Sequence, residues 1–278
     1  MDILLLLKAL IMGIVEGITE FLPISSTGHL ILTGDLLGFL DKGQRDVFVV
    51  FIQLGAMLAV IWEYRQKLFG AIAKAPTDSG ARRFLSNIVI AFIPAAIFGL
   101  LLDDWLEALL FKPIPVAIAF VVGGLIILWA EKSHRKTYGA LDLVGSRKAR
   151  IESVDDMTWK DAIKVGLAQC AALIPGTSRS GATIIGGLFL GLSRKAATEF
   201  SFFLGIPTLG AASLYKIYSL RNGLTPELTG LFAIGFISSF IFAFIAIRAL
   251  IRYVSKHDFV PFAWYRITFG IIVLVTAY

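Results

Sequence analysis

The sequence predicts an all-α polytopic membrane protein, an inverted-topology repeat of six transmembrane helices plus two re-entrant helix hairpins. Three observations predict it. The 278 residues are 57% hydrophobic and only 17% charged, with a mean hydropathy of +0.79, whereas soluble domains carry about 25% charged residues. Six apolar runs, 47–64, 84–102, 113–130, 197–218, 227–250 and 259–278, approach or exceed the roughly 20 residues that a bilayer crossing needs. Four other runs are broken or short. Segment 3–22 carries Glu16 and Glu20, and 28–40, 162–174 and 181–193 have about half the length of a crossing. These four come in adjacent pairs, each joined by a Pro/Ser/Gly-rich link. A helix pair that enters and leaves on one side fits that pattern, provided protein or a polar cavity surrounds the non-helical backbone.

Composition also excludes functions. The net charge of +6 does not point to nucleic acid, because the basic residues lie in short loops, where they act as topology signals beside anionic headgroups. The single Cys170 rules out a disulfide framework. Lys8 interrupts the first apolar run and no small-residue cleavage site follows it, so that run is expected to stay in the folded protein. No soluble domain fits in the loops, and residues 1–278 are expected to form one integral membrane domain.

The two links resemble each other. Placing "GIVEGITEFLPISSTGH" (13–29) over "GLAQCAALIPGTSRSGA" (166–182) pairs Gly13 with Gly166, Glu16 with Gln169, Ser25 with Ser178, Thr27 with Ser180 and Gly28 with Gly181. The pairing implies an internal duplication, with pseudo-repeats near 1–131 and 156–278. Loop charge orients it. Loops 65–83 and 131–157 are rich in Lys and Arg, whereas 103–112 holds Asp103, Asp104 and Glu107 with only Lys112. The positive-inside rule places the first two in the cytoplasm and the third outside. Arg194 and Lys195 fall inside, 219–226 outside, and both termini outside. Each half then has one hairpin and three crossings, an odd number, so the halves are inverted. Their polar tips meet within the membrane, as in inverted-repeat sites.

The links carry the chemistry. Glu16 and Glu20, four residues apart, share one helix face. Each ionised carboxylate near the bilayer centre costs about 2.5–3.5 kcal/mol on insertion scales. The pair therefore calls for a divalent cation, a protonated member or a wet interface. Pro23 is expected to end the first short helix, and the Ser25-Ser26-Thr27 run to cap a helix beginning near Gly28. The free N–H groups of that first turn suit an anion. His29 titrates near neutrality and suits proton transfer. In the second link, Gly176 and Gly181 permit a tight turn and close backbone approach, and Ser178 and Ser180 suit capping. Arg179, the lone charge between Lys164 and Arg194, offers a guanidinium fork that matches phosphate oxygens. A charge clamp, a hydroxyl nucleophile and a carboxylate pair suit phosphoryl transfer.

"EGITEFLPISSTGH" with "PGTSRSGAT" closely resembles the two signature segments of the bacterial undecaprenyl-diphosphate phosphatases of the bacitracin-resistance type. The resemblance in order and hydropathy covers essentially the whole chain. It implies hydrolysis of undecaprenyl diphosphate to undecaprenyl phosphate in the bacterial inner membrane, with a divalent cation, Mg2+ or Ca2+, and a pocket open to the external face. Glu16 and Glu20 would be the metal or acid–base carboxylates, and Ser26 the candidate nucleophile, helped by Ser25 and Thr27. His29 would protonate the leaving phosphate or activate the hydroxyl. Arg179, Ser178 and Ser180 would hold the diphosphate, with Gly176, Thr177 and Gly181 lining it. A phosphoseryl intermediate and a metal-bound water both fit. Gln169 and Ala172 stand where the first half has Glu16 and Glu20, so one carboxylate pair serves both halves. The rival function is a secondary transporter or polyprenyl-phosphate flippase using the same inverted-repeat site. The partners expected are the polyprenyl diphosphate and membrane lipids. Gly13 and Gly17, at GxxxG spacing, suit either a homodimer or packing between the halves.

Overall fold

A computed structural model describes residues 2–110, 113–139, 148–220 and 228–276, without the side chains of 103–110, 113, 216, 217, 219 and 220. The charges assigned to 103–112 and the loop 219–226 therefore lie outside the described side chains or residues. Among the described residues the chain is all-helical. Four helices are long and apolar enough to cross a membrane, Lys42–Glu63, Ser79–Leu102, Ile114–Tyr138 and Thr229–Val254, and the protein is a membrane protein. The other two expected crossings correspond to the helices Arg194–Leu220 and Val260–Thr276.

The first broken segment forms α1 (Ile3–Thr19) and α2 (Ser26–Leu37). Lys8 Nζ near the start of α1 donates to the Gly38 carbonyl just beyond α2, at 3.4 Å, so the pair starts and finishes side by side. Gly38, at φ 53°, closes α2 in the left-handed region. Helix α1 stops at Thr19, four residues before Pro23, and Glu20 is its C-cap, with helical backbone angles and its N–H bonded to the Glu16 carbonyl at 3.0 Å, so the two acids keep the i, i+4 relation expected from their spacing. Helix α2 begins at Ser26, earlier than Gly28, with Ser25 at the N-cap position.

Next come α3 (Lys42–Glu63), capped by Asp41, and α4 (Arg65–Lys74). Helix α5 (Ser79–Leu110) contains Pro94, and α6 is Pro113–Tyr138. The stretch 65–83 is therefore a helix and the start of another rather than a loop. The cause is local: the Asp78 carboxylate accepts from the N–H groups of Gly80 and Ala81 at 3.0 and 3.1 Å and starts α5.

The second broken segment forms α7 (Trp159–Gln169), opened by a capping box between Thr158 and Asp161, then a 3-10 turn at Cys170–Leu173, then α8 (Arg179–Phe189). Arg150 spans the two open ends of this pair, donating to Asp161 at 2.6 Å and to the Leu190 carbonyl at 2.7 Å. The chain continues with α9 (Arg194–Leu220), which contains Pro207, then α10 (Thr229–Val254) and α11 (Val260–Thr276).

Packing pairs the halves. Helix α1 lies along α10, and α7 along α5; α10 packs on α3, and α5 on α9; α3 meets α9, and α6 meets α11. Paired glycines make this possible. A Cβ at Gly13 would collide with Gly235 and Ser238 of α10, and one at Gly166 with the Ala91 backbone of α5. Gly17 likewise faces Ser239 and Ala243. The GxxxG face of α1 is thus spent inside the chain. Arg194 is not a solvated loop charge: it is 6% exposed and pairs through Nε, at 3.0 Å, with Glu131, which is 1% exposed and also accepts from the Phe259 N–H.

Candidate active site

The turn between α1 and α2 meets the turn before α8 in the protein interior. The two link serines that the alignment pairs adopt the same unusual backbone. Ser25 and Ser178 have φ 70° and 75°, and Leu40 is the other non-glycine residue with positive φ among those described. Such conformations cost on the order of 1–3 kcal/mol each and persist where the surroundings impose them. They aim the chain so that each short helix begins at the tip. Ser178 Oγ caps α8 by accepting from Gly181 N–H at 3.0 Å. Ser25 makes no such side-chain cap bond, so the capping expected of the first link is carried out only in the second.

Glu20, the C-cap of α1, stands at the centre. Its Oε1 accepts from Arg179 Nη2 at 2.8 Å and its Oε2 from Ser26 Oγ at 2.5 Å. The first of these bonds joins residues 159 positions apart. A second bond, Ser180 Oγ to the Leu22 carbonyl at 2.8 Å, ties the same two links. Arg179 is anchored further by donation from Nη1 to the Ser201 carbonyl of α9 at 2.9 Å. Gly205, one turn on, leaves room for it, because a Cβ there would lie 2.8 Å from Nη1. Ser201 Oγ also accepts from Thr183 Oγ1 at 2.7 Å.

Two groups at this junction are buried without a partner. Both carboxylate oxygens of Glu16 lack a hydrogen bond, and so does Arg179 Nε. Glu16 is 0% exposed. Buried polar atoms almost always find a partner, so an unpartnered carboxyl group and an unpartnered guanidinium N–H at one junction suit a ligand that offers both a cation and an anionic oxygen.

His29 lies apart from this cluster. Its Nδ1 donates to the Ser25 carbonyl at 2.7 Å, and Nε2 shares a 2.7 Å hydrogen bond with Tyr265 Oη of α11. Its ring stacks on Phe269 with centroids 4.4 Å apart. It therefore touches the Ser25 backbone but none of Glu16, Glu20 or Arg179. Thr27 and Thr177 are half-buried. Gly176, at φ 89°, brings the second link against the Val116 backbone of α6, where a Cβ would fall 2.6 Å from the carbonyl oxygen.

The structure adds residues the motifs did not supply: Ser201 and Gly205 on α9, and Tyr265 and Arg266 on α11. Arg266 is 1% exposed and donates to carbonyls of both links, Pro23 at 3.2 Å and Thr177 at 2.8 Å. It was visible in principle as a lone charge inside an apolar run, the same signal that marks Arg179.

The family profile of the bacitracin resistance protein BacA matches residues 9–272. The chain belongs to the BacA family. Curated relatives of this BacA-family chain extend over its whole length. It is 66% identical over 272 residues to "Undecaprenyl-diphosphatase 1" of Chromobacterium violaceum, covering 98% of this chain and 96% of that one. It is 59% identical over 278 residues to "Undecaprenyl-diphosphatase 2" of Rhodospirillum rubrum, covering 100% and 97%. It is 60% identical over 278 residues to the undecaprenyl-diphosphatase of Methylibium petroleiphilum, with the same coverage.

Proposed function

We propose that the junction of the two links is the active site of an integral membrane phosphatase. The enzyme hydrolyses undecaprenyl diphosphate to undecaprenyl phosphate and inorganic phosphate. It thereby recycles the lipid carrier of cell-wall synthesis and supports bacitracin resistance. The observation that carries the assignment of the site is the Ser26–Glu20–Arg179 relay, formed by residues from both links.

Ser26 is the proposed nucleophile. Its Oγ–H already points at Glu20 Oε2, so Glu20 is placed to take that proton as Oγ attacks the terminal phosphorus. The bond from that phosphorus to the bridging oxygen breaks, and undecaprenyl phosphate leaves. Water then releases phosphate from Ser26. Arg179 holds Glu20 with Nη2, while its unpartnered Nε–H remains for a phosphate oxygen. The backbone N–H groups at the start of α8 supply further donors, and Ser178 and Ser180, bonded to each other, to the Gly181 N–H and to the Leu22 carbonyl, hold that turn in place for the diphosphate. His29, bonded to the Ser25 carbonyl and to Tyr265 Oη, steadies the turn before Ser26, and it could serve proton transfer to the leaving group only if Nε2 exchanged Tyr265 for a substrate oxygen. Thr27, Gly176, Thr177 and Gly181 shape the walls.

A divalent cation, Mg2+ or Ca2+, fits the unpartnered oxygens of Glu16 beside Glu20. No group of three or more His, Cys, Asp or Glu side chains suited to a metal occurs among the described residues. Glu16 would therefore hold it, with Glu20 contributing only a lone pair beside its bonds to Arg179 and Ser26, together with water and substrate oxygens, a common pattern for Mg2+. When bound, it would neutralise charge on the diphosphate.

The proposed topology is six crossings and two re-entrant hairpins in inverted halves of a single domain, near 1–131 and 156–278, joined by the cytoplasmic segment 131–157. Both termini and the pocket face outward across the bacterial inner membrane. Exchange of the halves maps the α1–α10 contact onto α7–α5 and the α10–α3 contact onto α5–α9, which supports the duplication. Phosphate release from undecaprenyl diphosphate by purified protein tests the site. Ser26→Ala and Glu20→Gln are each expected to lose about 100-fold or more in kcat. Retention of wild-type turnover by both would remove this junction as the site.

A further inference from the structure

Arg266 lies midway along α11, within the run "VPFAWYRITFGIIVL", and all its N–H groups end on backbone carbonyls. Nε donates to Phe120 at 3.3 Å; Nη1 to Pro23 at 3.2 Å and Thr177 at 2.8 Å; Nη2 to Ala119 at 3.0 Å and Gly176 at 2.9 Å. Arg179 and Arg194 meet carboxylates. Among the described residues, Arg266 donates only to carbonyls, and its guanidinium lies 5.4 Å from the Phe120 ring centroid. Guanidinium has five N–H donors, so none is left for a substrate oxygen. The five acceptors come from three segments: the first link, the second link and the middle of α6. Gly123 and Gly181 make room for the head group, since a Cβ at Gly123 would overlap the guanidinium and one at Gly181 would lie 3.2 Å from Nη1.

A buried cation facing no carboxylate is costly to keep. Lys, with three donors, could not satisfy the same carbonyls, and an apolar residue could satisfy none. Pro23 lies three residues before Ser26, and Thr177 two before Arg179. We propose that Arg266 is a positioning residue of the phosphatase: by holding the carbonyls of both links and of α6, it sets the register of Ser26 against Arg179. The proposal rests on the site assigned above. It differs from a binding role because every donor is already used, and from simple packing because three of the five acceptors, Pro23, Gly176 and Thr177, lie two or three residues before Ser26 or Arg179.

The test compares wild type, Arg266→Lys, Arg266→Ala, Gly123→Ala and Arg179→Ala in detergent, with undecaprenyl diphosphate as substrate and thermal unfolding measured alongside. Misplacement of reacting groups by about 1 Å costs on the order of 100-fold, so Arg266→Lys is expected to lose about that much kcat per folded molecule while KM changes less than about threefold. Gly123→Ala, which keeps Arg266 but crowds its head group, should lower kcat in the same sense. A cleft of about 220 Å³, lined in part by Gly123, Thr177, Gly181 and Arg266, reaches the guanidinium. Guanidinium chloride in the millimolar range should therefore restore part of the Arg266→Ala activity, whereas sodium chloride at equal ionic strength should not. Normal kcat per folded molecule in Arg266→Lys and Gly123→Ala would overturn the proposal, as would a rise in KM with kcat unchanged. If Arg266→Ala does not fold, those two variants decide. Near-normal turnover in Arg179→Ala would instead remove the site assignment itself. An inactive Arg179→Ala beside a fully active Arg266→Lys would remove only the positioning role.

Discussion

Glu20 shows how much of the site is decided by one residue's neighbours. Its carboxylate is shared between Arg179 and Ser26, so neither oxygen is free, whereas both oxygens of Glu16 are. In the proposed mechanism, two acids four positions apart in sequence thus take different roles: Glu20 takes the proton of Ser26, and Glu16 would bind the cation. Chelator treatment should abolish phosphate release by wild type, and added Mg2+ or Ca2+ should restore it. Glu16→Gln should raise the metal concentration needed for half-maximal activity, and an unchanged requirement would detach Glu16 from the metal. At Arg179, replacement by Ala should cost about 100-fold or more in kcat, the scale of removing one preorganised charge-stabilising donor. Arg179→Lys should recover little, because a point charge cannot serve Glu20, the Ser201 carbonyl and a phosphate with one fork. Steady-state kinetics of the two variants decides this. His29 is the residue whose motif position misled most. Its place beside three hydroxyls and two acids suggested direct contact with them, but it turns toward Tyr265 and Phe269 of α11. That choice depends on a helix more than 200 positions later, which no local pattern reveals.

At the scale of elements, the short helices were legible because their lengths and flanks differ from those of a crossing. Their ends were less so. Proline at 23 marked the break, and α1 ends at Thr19 with Glu20 as its C-cap, where the side chain meets Arg179 of the second link. The amphipathic stretch 65–83 looked like a loop because positive charge dominated it, while Asp78 supplied a helix start. Helix seating rests on glycines. Gly13 and Gly166, matched in the sequence alignment, each bring a hairpin helix against the backbone of a long helix. Gly13→Val should therefore overpack the α1–α10 contact and cost at least about 1–3 kcal/mol, measured as loss of thermal stability in detergent. Val at Gly70, where a Cβ would meet nothing within 4 Å, should be tolerated.

For the whole molecule, the packing of one half onto the other is what assembles the site. Neither link is complete alone: the first holds Glu16, Glu20 and the proposed nucleophile Ser26, and the second holds the Arg179 guanidinium. The Glu131–Arg194 pair joins the ends of α6 and α9, and Glu131 also receives the Phe259 N–H at the start of α11. Arg194→Ala would leave Glu131 buried without its cation and should destabilise by about 3–5 kcal/mol, read from unfolding in detergent. For the proposed topology, single cysteines in a Cys170→Ala background separate the sides. An impermeant maleimide should label a cysteine placed in 103–112 on intact cells and one in 65–83 only after lysis. The reverse pattern would invert the molecule.

The sequence by itself determined the solvent, the helical class, the two broken segments and nearly every residue that carries charge or hydroxyl chemistry at the links. Those properties follow from local composition and from the cost of placing polar groups among apolar ones. The tertiary structure alone decided which of these groups touch. Glu20 rather than Glu16 meets Arg179, His29 faces α11, and Arg266 fastens both links to α6. Each is a contact between groups far apart in the chain, selected by how glycine-lined helices can approach and by the need of every buried donor for an acceptor.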